Sequence, residues 1–150
     1  MSGYTYCSLR VDLSSRTVQR VPTSKLLCEE YLGGLGFGVS LVSQAICHAW
    51  NDPEMPLVFA GGPFAGTATP ASGRLAVVSR SPLTNTIFDS SAGGRFALAL
   101  KQAGYDYLEI FGRADQLVLL EIDGTNVTIR PADDLKDVRV SYAVGRYDSS

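Results

Sequence analysis

The sequence predicts an α+β domain of largely antiparallel β-sheets with a few short helices. Strand-like and helix-like patterns alternate irregularly along the 150 residues, without the regular β-α repeat of a parallel sheet. Asp123-Gly124, set between two runs of alternating apolar residues, is a hairpin signature. Twelve of the 15 glycines lie between Gly33 and Gly112 without low complexity, which marks special backbone geometry in the middle of the chain. A composition that is 45% apolar and 19% charged excludes disorder, and the length suffices for one self-sufficient core.

Leu9, Val11 and Leu13 alternate with polar residues, Ser14-Ser15-Arg16 turns, and Thr17–Val21 returns as the second strand of a hairpin ended by Pro22. Thr23 or Ser24 caps a helix over 25–32 that Gly33-Gly34 stops. Val39, Val42, Ile46 and Trp50 recur at helical spacing and predict a helix over 37–50. Leu57–Ala60 is a short apolar strand, and 61–70 is too rich in glycine, proline and small residues to be regular. A strand over 74–79, a turn at 81–85 and a brief strand over 86–88 follow. Gly93-Gly94 introduces a helix over 95–103 that Gly104 closes, and Tyr107–Phe111 is a further strand. Leu117–Ile122 pairs with Val127 and Ile129 through a type I′ turn at Asp123-Gly124. The pattern weakens past Asp137, and Tyr147–Ser150 reads as a stop in mid-element. No repeat or linker divides residues 1–150, so one domain is expected.

A net charge of −2 argues against a nucleic-acid or anionic-membrane binder. No apolar run approaches a membrane span and the first residues lack a leader pattern, so a cytoplasmic, soluble protein is expected. The average hides a segregation: Gly62–Tyr105 holds Arg74, Arg80, Arg95 and Lys101 against Asp89 alone, whereas Asp106–Asp137 is strongly acidic. Cys7, Cys28 and Cys47 form no CxxC and read as small reduced thiols, and His48 with Cys47 makes no metal-ligand spacing.

Gly33-Gly34-Leu35-Gly36-Phe37-Gly38 has the wrong spacing for a dinucleotide fingerprint, and a helix rather than a strand precedes it. Gly61–Thr67 mimics a P-loop but has Thr67 where that motif needs lysine. No GxSxG surrounds a serine, and Glu29-Glu30 and Asp133-Asp134 sit in polar contexts. What remains is the central block. Glycine clusters at 61–73 and 93–94 bracket Arg74 and Arg80, a combination of free backbone N–H groups and guanidinium suited to a phosphate-bearing ligand. Turn glycines with arginines paired to carboxylates would be the plain structural alternative.

Tyr31–Gly38, Gly62-Pro63-Phe64-Ala65-Gly66-Thr67 with Pro70, Ser72-Gly73-Arg74, Ser81-Pro82-Leu83-Thr84, Gly93-Gly94 and Leu100–Asp106 follow one another as in a known family. From Gly3 to Ala132 the chain resembles the N-terminal domain of the tungsten-containing aldehyde ferredoxin oxidoreductases. That family oxidises aldehydes to carboxylic acids at tungsten held by two pterins, with electrons leaving through a [4Fe-4S] cluster to ferredoxin. The resemblance implies a base on which a tungsten (or molybdenum) bis-pterin with its Mg²⁺ rests. It implies that Arg74 is a charged partner of the cofactor, and that Ser91, Ala92, Gly93 and Gly94 approach its phosphates with backbone atoms. It further implies that the Ser91 backbone meets the bridging Mg²⁺, and that Gly33–Gly38 is structural.

Several positions depart from the family pattern. Asn85 stands where glycine is usual, Ser91 replaces a common asparagine, Arg95 an aromatic residue and Leu35 a frequent arginine. The family's cluster cysteines lie downstream of anything here, and Cys7, Cys28 and Cys47 cannot replace them at these spacings. The expectation is therefore a cofactor-base domain of a larger oxidoreductase, as a fragment or split subunit, inactive alone and holding no stoichiometric tungsten, molybdenum or iron. The alternative is a non-catalytic binding or assembly module on the same fold. Unpaired sheet edges lead to the further expectation of a homo-oligomer.

Overall fold

The computed structural model describes residues 3–138. Its elements are β1 (Cys7–Asp12), β2 (Thr17–Pro22), α1 (Lys25–Tyr31), α2 (Leu35–Gln44), β3 (Leu57–Gly61), β4 (Leu75–Arg80), β5 (Ile87–Ala92), α3 (Phe96–Gln102), β6 (Tyr107–Phe111), β7 (Val118–Asp123) and β8 (Asn126–Pro131), then a 3₁₀ turn at Asp133–Leu135. Six strands form one sheet in the order β2-β1-β6-β3-β4-β5, and β7-β8 is a separate hairpin. Every pairing is antiparallel except β1 with β6. The α+β, largely antiparallel expectation therefore describes the fold. The expected weakening past Asp137 and the terminal Tyr147–Ser150 lie outside the described residues.

Alternation along the strands sorts the core into two layers. On one face α2 lays Phe37 and Val42 against Val58, Ala60, Val78 and Tyr107. On the other, Leu9, Val11 and Leu108 pack with Leu100 of α3 and with Leu120, Ile122, Val127 and Ile129 of the hairpin. Leu9, Val11, Val42, Val58 and Val78 are fully buried, and each such side chain contributes about 1.5–3 kcal/mol. The glycine at position 38 sets the α2 approach, because a Cβ there would overlap the Val78 side chain.

Four local expectations change. The second helix ends at Gln44, six residues short of Trp50, although its apolar spacing continues. The Ala45 N–H turns back to the Val42 and Ser43 carbonyls, and Arg80 captures the carbonyls of Ile46 and His48, the first of which a helix reaching Trp50 would have bonded internally. Consequently Ile46 and Trp50 are exposed. The brief strand at 86–88 extends to Ala92, pairing with β4 as far as Leu75↔Ala92. The hairpin turn sits one residue later: Asp123 pairs with Asn126, which leaves Gly124-Thr125 at the centre. Positive φ there is confined to Gly124, as at the first central position of a type II′ turn. Finally, neither proposed cap works through its side chain: Ser24 precedes α1 without a side-chain bond, and the Thr23 hydroxyl is held at 2.6 Å by that of Ser8.

Candidate functional site

The sheet margin formed by β4 and β5 meets the start of α2 and the irregular 62–72 loop. α1 ends with Leu32 at φ 58°, and Gly33 (φ 135°) and Gly34 (φ 54°) redirect the chain into α2. The Gly34 N–H bonds the Gly61 carbonyl at 2.9 Å, tying this corner to the end of β3. The loop then closes on itself, with Ala65 N–H to Gly62 O (3.1 Å), Thr67 N–H to Phe64 O (3.1 Å) and the Thr67 hydroxyl to Phe64 O (2.7 Å). Thr67, which occupies the lysine position of a P-loop, is thereby engaged in holding its own turn.

Between these parts lies an open groove of about 410 Å³. Gly34 and Leu35 form one side, Gly62, Phe64 and Thr69–Ser72 another, and Arg74, Ala76 and Ser91 lie on the strands. Ala76 pairs with Ser91, so the two share this face. Arg74 is exposed and makes no hydrogen bond or ion pair among the described residues. A carboxylate partner, the plain structural alternative for this arginine, is thus not present among them.

The structure brings Arg74 and Ser91 together and separates them from Ala92, which pairs with Leu75 and so faces the opposite layer. Gly93 and Gly94 follow the end of β5, exposed and outside the groove lining. A Cβ on either would meet nothing within 4 Å, and Gly94 has φ 116°, so backbone is open to close approach there. Two further cations of the central stretch are otherwise engaged. Arg80 donates to the Asn85, Ile46 and His48 carbonyls. Lys101 donates to Asp106 at 2.6 Å and to Gly3 O at 3.0 Å. Sequence reading missed Leu35, Phe64 and Thr69–Ser72 as groove residues and took Gly34 as purely structural. Only the loop's density of small residues, together with Leu35 as the first helical residue after Gly34, could have signalled them.

The cysteines are free and dispersed, with Cys28 buried and Cys47 exposed, and burial pushes the Cys28 thiol up. Among the described residues no three His, Cys, Asp or Glu side chains gather in a metal-holding group. His48 faces Asp52 at 3.2 Å.

The family model "Aldehyde ferredoxin oxidoreductase, N-terminal domain" matches residues 8–147. The chain belongs to the aldehyde ferredoxin oxidoreductase family. It is 37% identical over 134 residues to the tungsten-containing aldehyde ferredoxin oxidoreductase of Pyrococcus horikoshii, covering 88% of this chain and 22% of that protein. The Pyrococcus abyssi enzyme of the same name is 38% identical with the same coverage. A Pyrococcus furiosus aliphatic sulfonate oxidoreductase, WOR-like subunit, is 32% identical over 137 residues, again 88% of this chain and 22% of that one. Among solved structures, the active-site complex BamBC of benzoyl coenzyme A reductase with 1,5-dienoyl-CoA superposes with a TM-score of 0.86 at 36% identity, covering 90% of this chain and 21% of that one. The chain thus spans about a fifth of the length of the relatives it matches and corresponds to the N-terminal domain of oxidoreductases.

Proposed function

We propose that this chain is the floor for the pterin cofactor of an aldehyde ferredoxin oxidoreductase-like enzyme. The observation that carries the reading is the unpartnered Arg74 guanidinium in a groove otherwise walled by small residues, Thr69, Pro70 and the exposed apolar side chains of Leu35 and Phe64. Phe64 and Leu35 offer flat apolar surface for a heteroaromatic ring system, and Arg74 offers charge-assisted hydrogen bonds to a phosphate. Strand β5 is an edge. The Ser81 N–H to Thr86 O bond (2.9 Å) sets the ladder alternation so that Phe88, Ser90 and Ala92 turn toward β4, while the Ser91 carbonyl points away from the sheet. Such a carbonyl is the type of oxygen that a Mg²⁺ between phosphates takes as a ligand. Gly93 and Gly94 then supply backbone to those phosphates without side-chain obstruction.

When bound, the tungsten (or molybdenum) pterin would supply the oxidation chemistry, and this chain's residues bind, orient and neutralise it. The dispersed cysteines do not fit a [4Fe-4S] cluster. The cluster, the ferredoxin partner and the aldehyde therefore belong to other parts of a complete enzyme. Relatives and neighbour that share this domain carry names for different activities, which supports placing substrate choice outside it. Three free cysteines favour a reducing, cytoplasmic setting.

Titration of the chain with a pterin phosphate, followed by pterin fluorescence, tests the reading. Saturable binding that Arg74→Ala weakens at least tenfold is expected. Equal behaviour of parent and variant would instead favour a module that keeps the fold without the cofactor.

A further inference from the structure

We infer that the cleft at the far end of α2 is a second binding site, separate from the groove, which takes a primary ammonium group on an aliphatic stem. The groove lies at the start of α2, whereas this cleft, of about 380 Å³, opens where the last turn with Leu41 and Gln44 meets β1 and β6. Register explains the placement. Arg10 pairs with Glu109, and Glu109 with Val58, so these side chains share the sheet face on which Phe37 and Val42 of α2 cover Val58 and Tyr107. Strand β6 thus carries Tyr107, Glu109 and Phe111 along one face from beneath the helix into the cleft.

The charges there do not balance: the cation is paired and a carboxylate is left short. Arg10, the sole arginine or lysine of the lining, puts Nε 3.2 Å from Glu109 Oε2 and lays its guanidinium over the Phe111 ring. Glu109 Oε1 makes no hydrogen bond among the described residues, although the side chain is only 12% exposed. Burial accordingly raises the Glu109 carboxyl, and Arg10 only partly offsets this. Glu54 lines the same cleft, and its carboxylate has no partner among the described residues. Asp52, 3.2 Å from His48, counters any charge on that ring. The Ala45 N–H bonds Val42 and Ser43 rather than Leu41, so the last turn of α2 adds a carbonyl without its helical donor and the negative end of the helix dipole.

The lining also selects the kind of cation. Among the described residues no three His, Cys, Asp or Glu side chains gather in a metal-holding group, so Glu54, Glu109 and His48 do not converge on one bare ion. Glu109 has a single oxygen left, which denies a guanidinium fork the oxygen pair it engages, while the three rotatable donors of an ammonium suit single acceptors on separate walls. Val21, Leu41, Ala45 and Pro56 supply apolar wall for the stem. A lysine side chain of another protein and a free alkylamine share this chemistry.

Titration of the 150-residue chain with n-butylammonium chloride, followed by amide NMR shifts, tests the site. Saturable shifts should fall on Val21, Leu41, Ala45 and Glu109, and not on Gly34 or Ser91 in the groove. Glu109→Gln and Glu54→Gln should each weaken binding about tenfold, the scale of one hydrogen bond to a charged group. In the parent, n-butylguanidinium and Ca²⁺ should each bind about tenfold more weakly than the ammonium. Glu30→Gln, which removes an exposed carboxylate from α1, should change nothing. Tighter binding of Nα-acetyl-lysine amide than of n-butylammonium would assign the site to a protein lysine, and the reverse to a free amine. No saturable shift at the cleft overturns the site, as does an equal loss on Glu30→Gln, which reduces the effect to net charge. Guanidinium or Ca²⁺ binding as tight as the ammonium overturns it too. Should circular dichroism show that Glu109→Gln disturbs the fold, the exposed Glu54→Gln decides. Each of these failures leaves the groove reading intact.

Discussion

The two ends of the six-stranded sheet use their charges in opposite ways. At the β2-β1-β6 end every described arginine or lysine that reaches the sheet has a partner. Arg10 meets Glu109 at 3.2 Å and lies over the Phe111 ring. Arg20 donates to Thr125 O at 2.7 Å and lies over Tyr105. Lys101 binds Asp106 where the chain enters β6. At the β4-β5 end Arg74 and Arg95 have no such partner among the described residues, and the strand beside them is exposed almost throughout. Paired charges fix chain segments to one another, whereas an unpaired charge beside a groove is available to something that arrives. Substitutions should therefore register as stability at one end and as binding or association at the other.

The largest effect should come from Lys101→Ala. Asp106 is 1% exposed; its Oδ1 accepts from Lys101 at 2.6 Å and from the Thr5 N–H at 2.9 Å, and its Oδ2 has no partner among the described residues. Removing the lysine strands a buried carboxylate, and such removals cost about 3–5 kcal/mol. Urea denaturation should show that loss, while Arg74→Ala stays within about 0.5 kcal/mol of the parent as an exposed, unpartnered site. Equal losses from both would dissolve the contrast between the ends. Lys101→Met with Asp106→Leu should recover much of the stability, because the desolvation penalty leaves with the pair.

How much of this was legible follows the range of the interactions. The order of elements, the β1-β2 hairpin and the stop at Gly33-Gly34 depend on neighbours in sequence, and the alternation and turn residues carry them. Asn85, which stands where the family pattern has glycine, has φ 60°, a left-handed backbone that asparagine tolerates. Arg74 and Ser91 were legible as a pair through the family resemblance, and the register shows why they meet. Illegible were the end of α2, decided by Arg80 from 32 and 34 residues away, and the insertion of β6 between β1 and β3. The engagement of Lys101 and Arg80 was equally hidden, since a cation's partner is a tertiary fact. The excess of positive charge in the middle of the chain was real as composition, yet half of it serves the fold.

A smaller effect concerns the sheet's edges. β2 carries Pro22 at its end and Arg20 pinned to the hairpin loop, both of which discourage further pairing. β5 runs Ile87–Ala92 with no proline or lysine, with Phe88 60% exposed and Leu83 at its turn 91% exposed. We propose that this edge, guarded only by Asp89, is where copies of the chain associate as a homo-oligomer. Light scattering across a concentration series should show a dimer or larger species. Phe88→Lys, which puts a charge on the edge, should shift it toward monomer. A parent that stays monomeric at high concentration would remove the edge from the contrast. Association unaffected by Phe88→Lys but lost on charging β2 would reverse it.

The finest test lies in the pH dependence of the paired end. Burial raises the Glu109 carboxyl above its ordinary 4.5, and the nearby Arg10 only partly offsets this. The native state therefore holds that proton more tightly than the unfolded chain does, and the Glu109 contribution to stability falls as pH rises from about 4.5 through the folded value. Asp12 and Asp52 act with the opposite sign in a lower window. The Ser15 hydroxyl, with the Ser14 and Ser15 N–H groups, depresses Asp12, and the Glu54 N–H, with His48, depresses Asp52. Their stabilisation is present above the ordinary carboxylate value of 3.8 and is lost as pH falls through their folded values. Melting temperatures from pH 3 to 8 should thus fall on both sides of a maximum in the parent. Glu109→Gln should flatten the limb above 4.5 and leave the acid limb unchanged, since the amide keeps an acceptor for Arg10 without a charge to desolvate. Profiles that differ only by a constant offset would mean that Glu109 ionises in the fold as easily as in water, and that the Arg10 pair is no more than a surface contact.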